Sequence, residues 1–163
     1  MATRFSICDL SDANPGLGHR CSLPFKDFGK RRYFHGPIRT VVTMEDSQLA
    51  YHLFQEPGNG GVIVIDGGGS MNTALLGDAR AALLKKNGWA GVIVNGAVRD
   101  AADLATIDIG IKALGSSFIR SSENGVGAID VPVAFGHVLF EPGHYVYCDW
   151  DGVLVSPREL TAA

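Results

Sequence analysis

The chain has 163 residues, 46% hydrophobic and 19% charged, which is the composition of a globular domain rather than a disordered segment. A formal net charge of −3 excludes a strongly basic nucleic-acid binder as the default, and no apolar run approaches the ~20 residues that span a bilayer. Glycine is the outlier, 21 residues against a usual share of ~7%, which predicts many tight turns and raises the prospect of backbone-mediated anion binding.

Residues 1–36 carry Pro15, Gly16, Gly18, Pro24, Gly29 and Gly36 among scattered aromatics, and read as a short helix plus an irregular wrapping arm. The cluster Lys30-Arg31-Arg32 reads as a solvated loop. Met1–Ser11 has no apolar run of a secretory signal. Cys8, Cys21 and Cys148 share no short spacing, so free thiols in a cytoplasmic setting are expected rather than a zinc site or a disulfide framework. Ile38–Met44 is β-branched and predicts a strand, Glu45-Asp46-Ser47 a helix start, and Leu49–Phe54 a short helix ending before Pro57-Gly58. Gly61–Ile65 and Ala90–Val94 are continuous apolar runs and predict buried strands. Met71, Ala74, Leu75, Ala79, Ala82 and Leu83 lie at helical spacing, and Asp100–Thr106 predicts a short helix. Beyond Ile107 the runs shorten: Ile109–Leu114, Ile129–Phe135, Val138–Phe140, Tyr145–Tyr147 and Val153–Val155, separated by Asn124-Gly125, Pro142-Gly143 and Asp151-Gly152 turns. Strand–helix alternation in the first half and mostly β structure in the second predict one α/β domain over residues 1–163.

Three segments are candidates for chemistry. Asp66-Gly67-Gly68-Gly69-Ser70 follows a buried strand and could cradle a phosphate or the methionine end of S-adenosylmethionine. It does not meet the G-x-G-x-x-G spacing, because Asn72 stands where the last glycine belongs, and the next strand ends in Asn95-Gly96 rather than in a ribose-binding carboxylate. A crowded turn at a subunit or element junction is the better reading. Gly77-Asp78-Ala79-Arg80 is anomalous within one helix, since it would put a carboxylate on the apolar stripe and a glycine in the interior. Both oddities vanish if the chain breaks at Gly77 and a helix starts at Asp78. Its first amides, Asp78 to Arg80, would then be open to an anion, against the plainer alternative of N-capping by Asp78. Asn95–Asp100 lies at the carboxyl end of a buried strand, where open α/β sheets place ligands. There Arg99 could grip a carboxylate and Asp100 a hard cation, or the two could be a helix cap and a surface ion pair.

Other polar groups carry less. His19, His35, His52, His137 and His144 are isolated, Ser70 and Ser117 lack a G-x-S-x-G setting, and Asp149 with Asp151 reads as a turn between late strands.

Asp78 and Arg99 combine into a spaced motif, Gly-Asp, twenty residues, then Arg-Asp. This resembles the signature of class II, metal-dependent 4-hydroxy-4-methyl-2-oxoglutarate/4-carboxy-4-hydroxy-2-oxoadipate aldolases. The stretches Cys8–Asp12, Phe28-Gly29, Val64–Ser70, Thr73–Asp78, Gly96–Asp100, Asp108–Leu114 and Asp149–Val155 are similar to the RraA-like family (regulator of ribonuclease activity A). The resemblance implies a compact β/β/α, swivelling-domain-like sandwich, often assembled as a trimeric ring. It implies that the backbone of Gly77, Asp78, Ala79 and Arg80 holds the pyruvyl part of a small 2-oxo acid and that Arg99 contacts its keto-acid oxygens. It further implies that Asp100 binds Mg²⁺ or Mn²⁺ and that Asp78 orders metal-bound water. The implied activity is cleavage to pyruvate, with decarboxylation of oxaloacetate through the same enolate. The family supplies a rival, a non-catalytic member that binds and inhibits an endoribonuclease; retention of Gly77, Asp78, Arg99 and Asp100 favours the enzyme. Two features depart from the family: Phe28-Gly29-Lys30-Arg31 replaces its Phe-Gly-Gly-Arg, and Ala163 ends the sequence without the extension that gives longer aldolases an acidic residue from a neighbouring subunit. Some relatives are labelled demethylmenaquinone methyltransferases, which the glycine loop speaks against. The expected partners are the substrate and further copies of the chain, with no direct RNA binding and no membrane.

Overall fold

The computed structural model describes residues 4–161. In chain order the elements are α1 (Ile7–Ala13), β1 (His19–Arg20), β2 (Lys26–Asp27), β3 (Phe34–Val42), α2 (Gln48–Phe54), β4 (Val62–Asp66), β5 (Ala74–Leu76) and α3 (Asp78–Lys86). They continue with β6 (Gly91–Val98), α4 (Ala101–Leu104), β7 (Gly110–Ser116), β8 (Ala128–Ile129), β9 (Val133–Phe135), β10 (Val138–Phe140), β11 (Tyr145–Asp149) and β12 (Gly152–Ser156).

A mixed sheet runs β1-β12-β11-β3-β4-β6-β7-β2, with β5 added beside β6 and β8 beside β3. Its centre, β3-β4-β6-β7, is parallel. These strands are apolar on both faces, and the two-residue period sorts them. Ile63, Ile65, Val92 and Val94 face α2, α3 and α4, where Leu53, Phe54, Ala81, Leu84 and Leu104 close the layer. Val62, Val64 and Ile93 face the opposite way, onto Val133 and Phe140 of the β9–β10 ribbon and Val146, Cys148, Val153 and Val155 of the β11–β12 hairpin. The outer face of that hairpin buries Tyr147 and Leu154 against Leu10 of α1. The result is the expected mixed α/β architecture: helices, central sheet, then a second β layer. No helix among the described residues is long and apolar enough to cross a membrane.

Several expectations need correction. The stretch read as helical from Met71 is not one helix: Ala74–Leu76 is a buried strand, and the helix starts at Asp78. A short apolar run satisfies both periods, and full burial on both sides selects the strand. The strand expected over Ile129–Phe135 is two strands, split at Asp130, whose φ is +56°. The strand expected to stop at Val94 continues to Val98. The arm over residues 1–36 is less irregular than read, because β1 and β2 pair onto β12 and β7 at the two ends of the sheet. Nor is the basic cluster simply solvated: Arg31 pairs with Asp108 at 3.2 Å, and Arg32 lies 5.2 Å from the centre of the Trp150 ring.

One polar group sits deep in the second layer. Lys112 on β7 alternates with Ile111 and Ala113, so its side chain points away from the helices and is only 2% exposed. Its Nζ lies 3.1 Å from Asp27 Oδ1 on β2 and donates to the Asp149 carbonyl on β11 at 2.8 Å. It thereby ties together strands that are far apart in the sheet order. Removing one partner of a buried pair strands the other charge, at a cost of ~3–5 kcal/mol. Asp27→Ala is therefore expected to lower unfolding stability in urea by about that much at neutral pH, and adding Lys112→Met should recover most of it. An unchanged midpoint in the single variant would show that the pair carries no weight.

Candidate active site

A cleft of about 280 Å³ gathers residues 74–80, Arg99 and Asp100, Arg120, Ser121 and Glu123, with Ser47 beside them. β5 carries the chain to the front of the sheet beside the end of β6, so Gly77 faces the Arg99-Asp100 pair. Gly77 is extended (φ −130°, ψ −176°), a conformation open to any residue. The demand for glycine there is space: a Cβ would meet Asp100 Oδ2 at 2.7 Å and Arg99 Cγ at 3.1 Å.

Asp100 holds left-handed backbone angles (φ +60°, ψ +42°), a strained setting for a side-chain-bearing residue. It stands at the N-cap of α4, yet its side chain makes no cap bond there. The carboxylate turns instead toward α3, where Oδ2 accepts from the Asp78 amide at 3.2 Å. Oδ1 lies 3.7 Å from Arg99 Nε, a charge contact too long for a hydrogen bond. Of the plainer alternative, a cap plus a surface ion pair, the contact with Arg99 is present and the side-chain cap on α4 is not. It does not leave the helix amides open as expected. Asp78's amide bonds Asp100, and Ala79's bonds the Asp78 carboxylate at 2.7 Å. Only the Arg80 amide has no intramolecular acceptor among the described residues. Local carboxylates occupy the anion site that a helix N-terminus offers.

Arg80's side chain is committed to the cleft wall. It pairs with Glu123, donates to the Ser47 carbonyl at 3.4 Å and lies 4.7 Å from the centre of the Tyr51 ring. The loop carrying Glu123 is held by Asp46, a residue that sequence reasoning passed over as part of a helix start. Asp46 is 1% exposed and accepts from the amides of Asn124 (2.6 Å), Gln48 (3.0 Å) and Gly125 (3.1 Å). Burial would push its carboxyl up, but those amides outweigh burial and hold it below the usual carboxylate range. Arg120 and Ser121 were likewise missed, because no spacing rule links them to the motif; a pairing of Arg120 with Ala74 brings them to the cleft.

The glycine loop is not part of this site, and its amides are spent. Gly67 and Gly69 donate to the Asn95 carbonyl, Gly68 to Asp66 Oδ1 and Ser70 to the Gly67 carbonyl. That is the crowded turn expected, with no donors left for a phosphate. The other cysteines, histidines and late carboxylates lie elsewhere. Among the described residues no group of three His, Cys, Asp or Glu side chains converges as a metal cage.

Residues 7–155 match the RraA-like family, described as Aldolase/RraA. The chain belongs to the RraA-like family. A relative from Alkalilimnicola ehrlichii, provisionally named 4-hydroxy-4-methyl-2-oxoglutarate aldolase, is 50% identical over 85% of this chain and 86% of its own. Among solved structures, the RNA-processing inhibitor RraA from Thermus thermophilis is 39% identical with a TM-score of 0.94, covering 99% of this chain and 98% of its own. A Geobacillus kaustophilus protein named S-adenosylmethionine:2-dimethylmenaquinone methyltransferase is 41% identical with a TM-score of 0.92, covering 95% of this chain and 96% of its own. Relatives in this family thus carry the names of a lyase, a methyltransferase and an RNA-processing inhibitor.

The Asp46 clamp gives a pH prediction. A carboxylate depressed in the folded state stabilises fully above its unfolded value of ~3.9 and loses that contribution as pH falls through the lower folded value. Asp46→Asn is expected to cost about 1–2 kcal/mol at pH 7, by weakening three charge-assisted bonds. The gap to wild type in denaturant midpoint should shrink toward pH 3, where the wild-type carboxyl also protonates. A gap independent of pH would contradict this assignment.

Proposed function

We propose that the chain is a divalent-metal-dependent lyase that cleaves 4-hydroxy-4-methyl-2-oxoglutarate, or 4-carboxy-4-hydroxy-2-oxoadipate, to pyruvate, and that also decarboxylates oxaloacetate. The observation that carries this reading is Asp100, whose carboxylate leaves its own helix uncapped and enters the cleft between Arg99 and the start of α3.

The donor chemistry fits a hard cation. Asp100 offers carboxylate oxygens with only one long hydrogen bond between them, whereas Glu123 is taken by Arg80. One free carboxylate suits Mg²⁺ or Mn²⁺ that keeps waters and takes its other ligands from the substrate, and it does not suit a cage built wholly of protein. Bound at Asp100, such an ion supplies Lewis-acid polarisation of the 2-oxo acid.

The remaining work falls to the chain. The substrate carboxylate replaces Asp78 and Asp100 as acceptor for the first amides of α3, where the helix dipole favours negative charge. Arg99 presents a planar fork to the carboxylate and keto oxygens. Asp78, at the cleft mouth, holds the water that takes the proton of the C4 hydroxyl, since no histidine lines the cleft. As that proton leaves, the C4–O bond becomes a carbonyl, which departs as a second pyruvate or as oxaloacetate; the C3–C4 bond breaks and its electron pair forms the pyruvate enolate, whose negative charge Arg99 and the helix amides stabilise. Protonation at C3 then gives pyruvate. Oxaloacetate reaches the same enolate by losing carbon dioxide.

We place the working assembly as a homotrimer with the cleft at the subunit boundary. Met71, Phe118 and Ile119 are exposed beside it, Phe118 by 84%, an apolar edge that a second copy would cover. Light scattering at micromolar concentration should give a multiple of the 17.3 kDa chain, and Phe118→Asp should shift it toward the monomer. A wild-type monomer would refute the assembly.

The decisive assay follows pyruvate from oxaloacetate and from 4-hydroxy-4-methyl-2-oxoglutarate with Mg²⁺, with and without EDTA. Asp100→Ala should abolish divalent-dependent turnover while the protein stays folded. Arg99→Lys should keep metal binding yet lose ~1.5–3 kcal/mol of transition-state stabilisation, because an ammonium cannot make the two-point contact. If wild-type protein forms no pyruvate with Mg²⁺ or Mn²⁺, the lyase reading fails. The likeness to the Thermus RNA-processing inhibitor then makes endoribonuclease inhibition through protein contact the reading to test. The methyltransferase name gains nothing from this chain, whose glycine-loop amides are already bonded internally.

A further inference from the structure

We propose that Arg120 sets the substrate class of the cleft by taking the carboxylate at the far end of a 2-oxo diacid; this rests on the lyase reading and adds a specificity residue to it. Three guanidinium groups line the cleft, those of Arg80, Arg99 and Arg120. Arg80 is neutralised by Glu123 and packed over Tyr51, so its charge is spent on the wall. Arg99 sits against Asp100 and the Gly77 backbone, at the end of the cleft where the helix amides converge. Arg120 has no ion-pair partner among the described residues.

Its backbone is nevertheless fixed. The Ile119 carbonyl accepts from the Ala74 amide at 2.8 Å, and Arg120 pairs with Ala74. Ser117 Oγ donates to the Asn72 carbonyl at 2.9 Å, and the Ser122 amide to the Glu45 carbonyl at 2.9 Å. A segment pinned at both ends therefore holds an uncommitted cation at the cleft wall, beside the strand that leads to Gly77. The charge balance points the same way. Three arginines face three carboxylates, Asp78, Asp100 and Glu123. With a divalent ion added the cleft carries an excess of two positive charges, which a dianion matches and a monoanion does not. Arg120 is the group placed to meet the second negative charge, and discrimination arises because a substrate without it leaves that pairing unmade.

The test uses the full chain with Mg²⁺ and two non-cleavable probes in titration calorimetry. Oxalate reports on the keto-acid end alone, and 2-oxoglutarate adds the distal carboxylate. Arg120 is exposed, so Arg120→Met should fold normally. It is expected to weaken 2-oxoglutarate about ten- to hundredfold and oxalate less than about threefold, with Arg120→Lys recovering part of the loss. In turnover, the ratio of kcat/KM for 4-hydroxy-4-methyl-2-oxoglutarate over 4-hydroxy-2-oxopentanoate should fall by a similar factor, mainly through KM. Equal weakening of both probes, no weakening of either, or no binding of 2-oxoglutarate by wild type would overturn the proposal. So would a loss of assembly in Arg120→Met with probe affinities unchanged, which would place Arg120 at an interface. Failure of the lyase reading looks different: the probes are discriminated through Arg120, yet no pyruvate forms.

Discussion

The cleft depends on a missing methyl group. Gly77 lets the start of α3 approach Asp100 so closely that a Cβ would stand 2.7 Å from its carboxylate oxygen. That approach does two things at once. It lets Asp100 Oδ2 reach the Asp78 amide, and it gives the carboxylate of a left-handed residue a partner that is not its own helix. The strain of Asp100 and the break before α3 are therefore two sides of one contact. Neither element would take this form alone: α4 is four residues long and uncapped by side chain, and α3 has a glycine where a capping side chain is usual.

The contact also satisfies the start of α3 from within the chain. A helix N-terminus with unpaired amides facing a cleft would be costly in isolation. Here Asp78 and Asp100 act as internal acceptors for the first two amides. On the function proposed above, an incoming carboxylate would exchange with them, so the number of bonds would be conserved and the displaced carboxylates released for water and a cation. The wall behind is rigid for a separate reason: Asp46, buried and bonded to three amides, anchors the loop whose Glu123 holds Arg80. On the proposed reading, binding and support fall to different residues, so a change in one need not unfold the other.

Much of this was legible in the sequence, for identifiable reasons. The buried strands announce themselves because both faces are covered, giving continuous apolar runs at Gly61–Ile65 and Ala90–Val94. The break at Gly77 could be read because a glycine and a carboxylate on one apolar stripe contradict a helix. What the break leads into could not: Ala74–Leu76 is a strand only because β6 extends beyond its apolar run to Val98 and offers an edge. The state of the amides was also out of reach, since it depends on residues 22 apart meeting in space. Asp46 and Arg120 were invisible for the same reason. Asp46 acts through contacts 78 and 79 positions away, and Arg120 through a strand pairing that no local pattern marks.

The most direct test of the account is a crystal structure of the protein with Mg²⁺ and oxalate. The account predicts the ion on the Asp100 carboxylate, oxalate bridging the ion, Arg99 and the amides at the start of α3, and Asp100 Oδ2 drawn off the Asp78 amide. Oxalate bound away from α3, or an Asp100 carboxylate still closed on the Asp78 amide with the ion elsewhere, would contradict it.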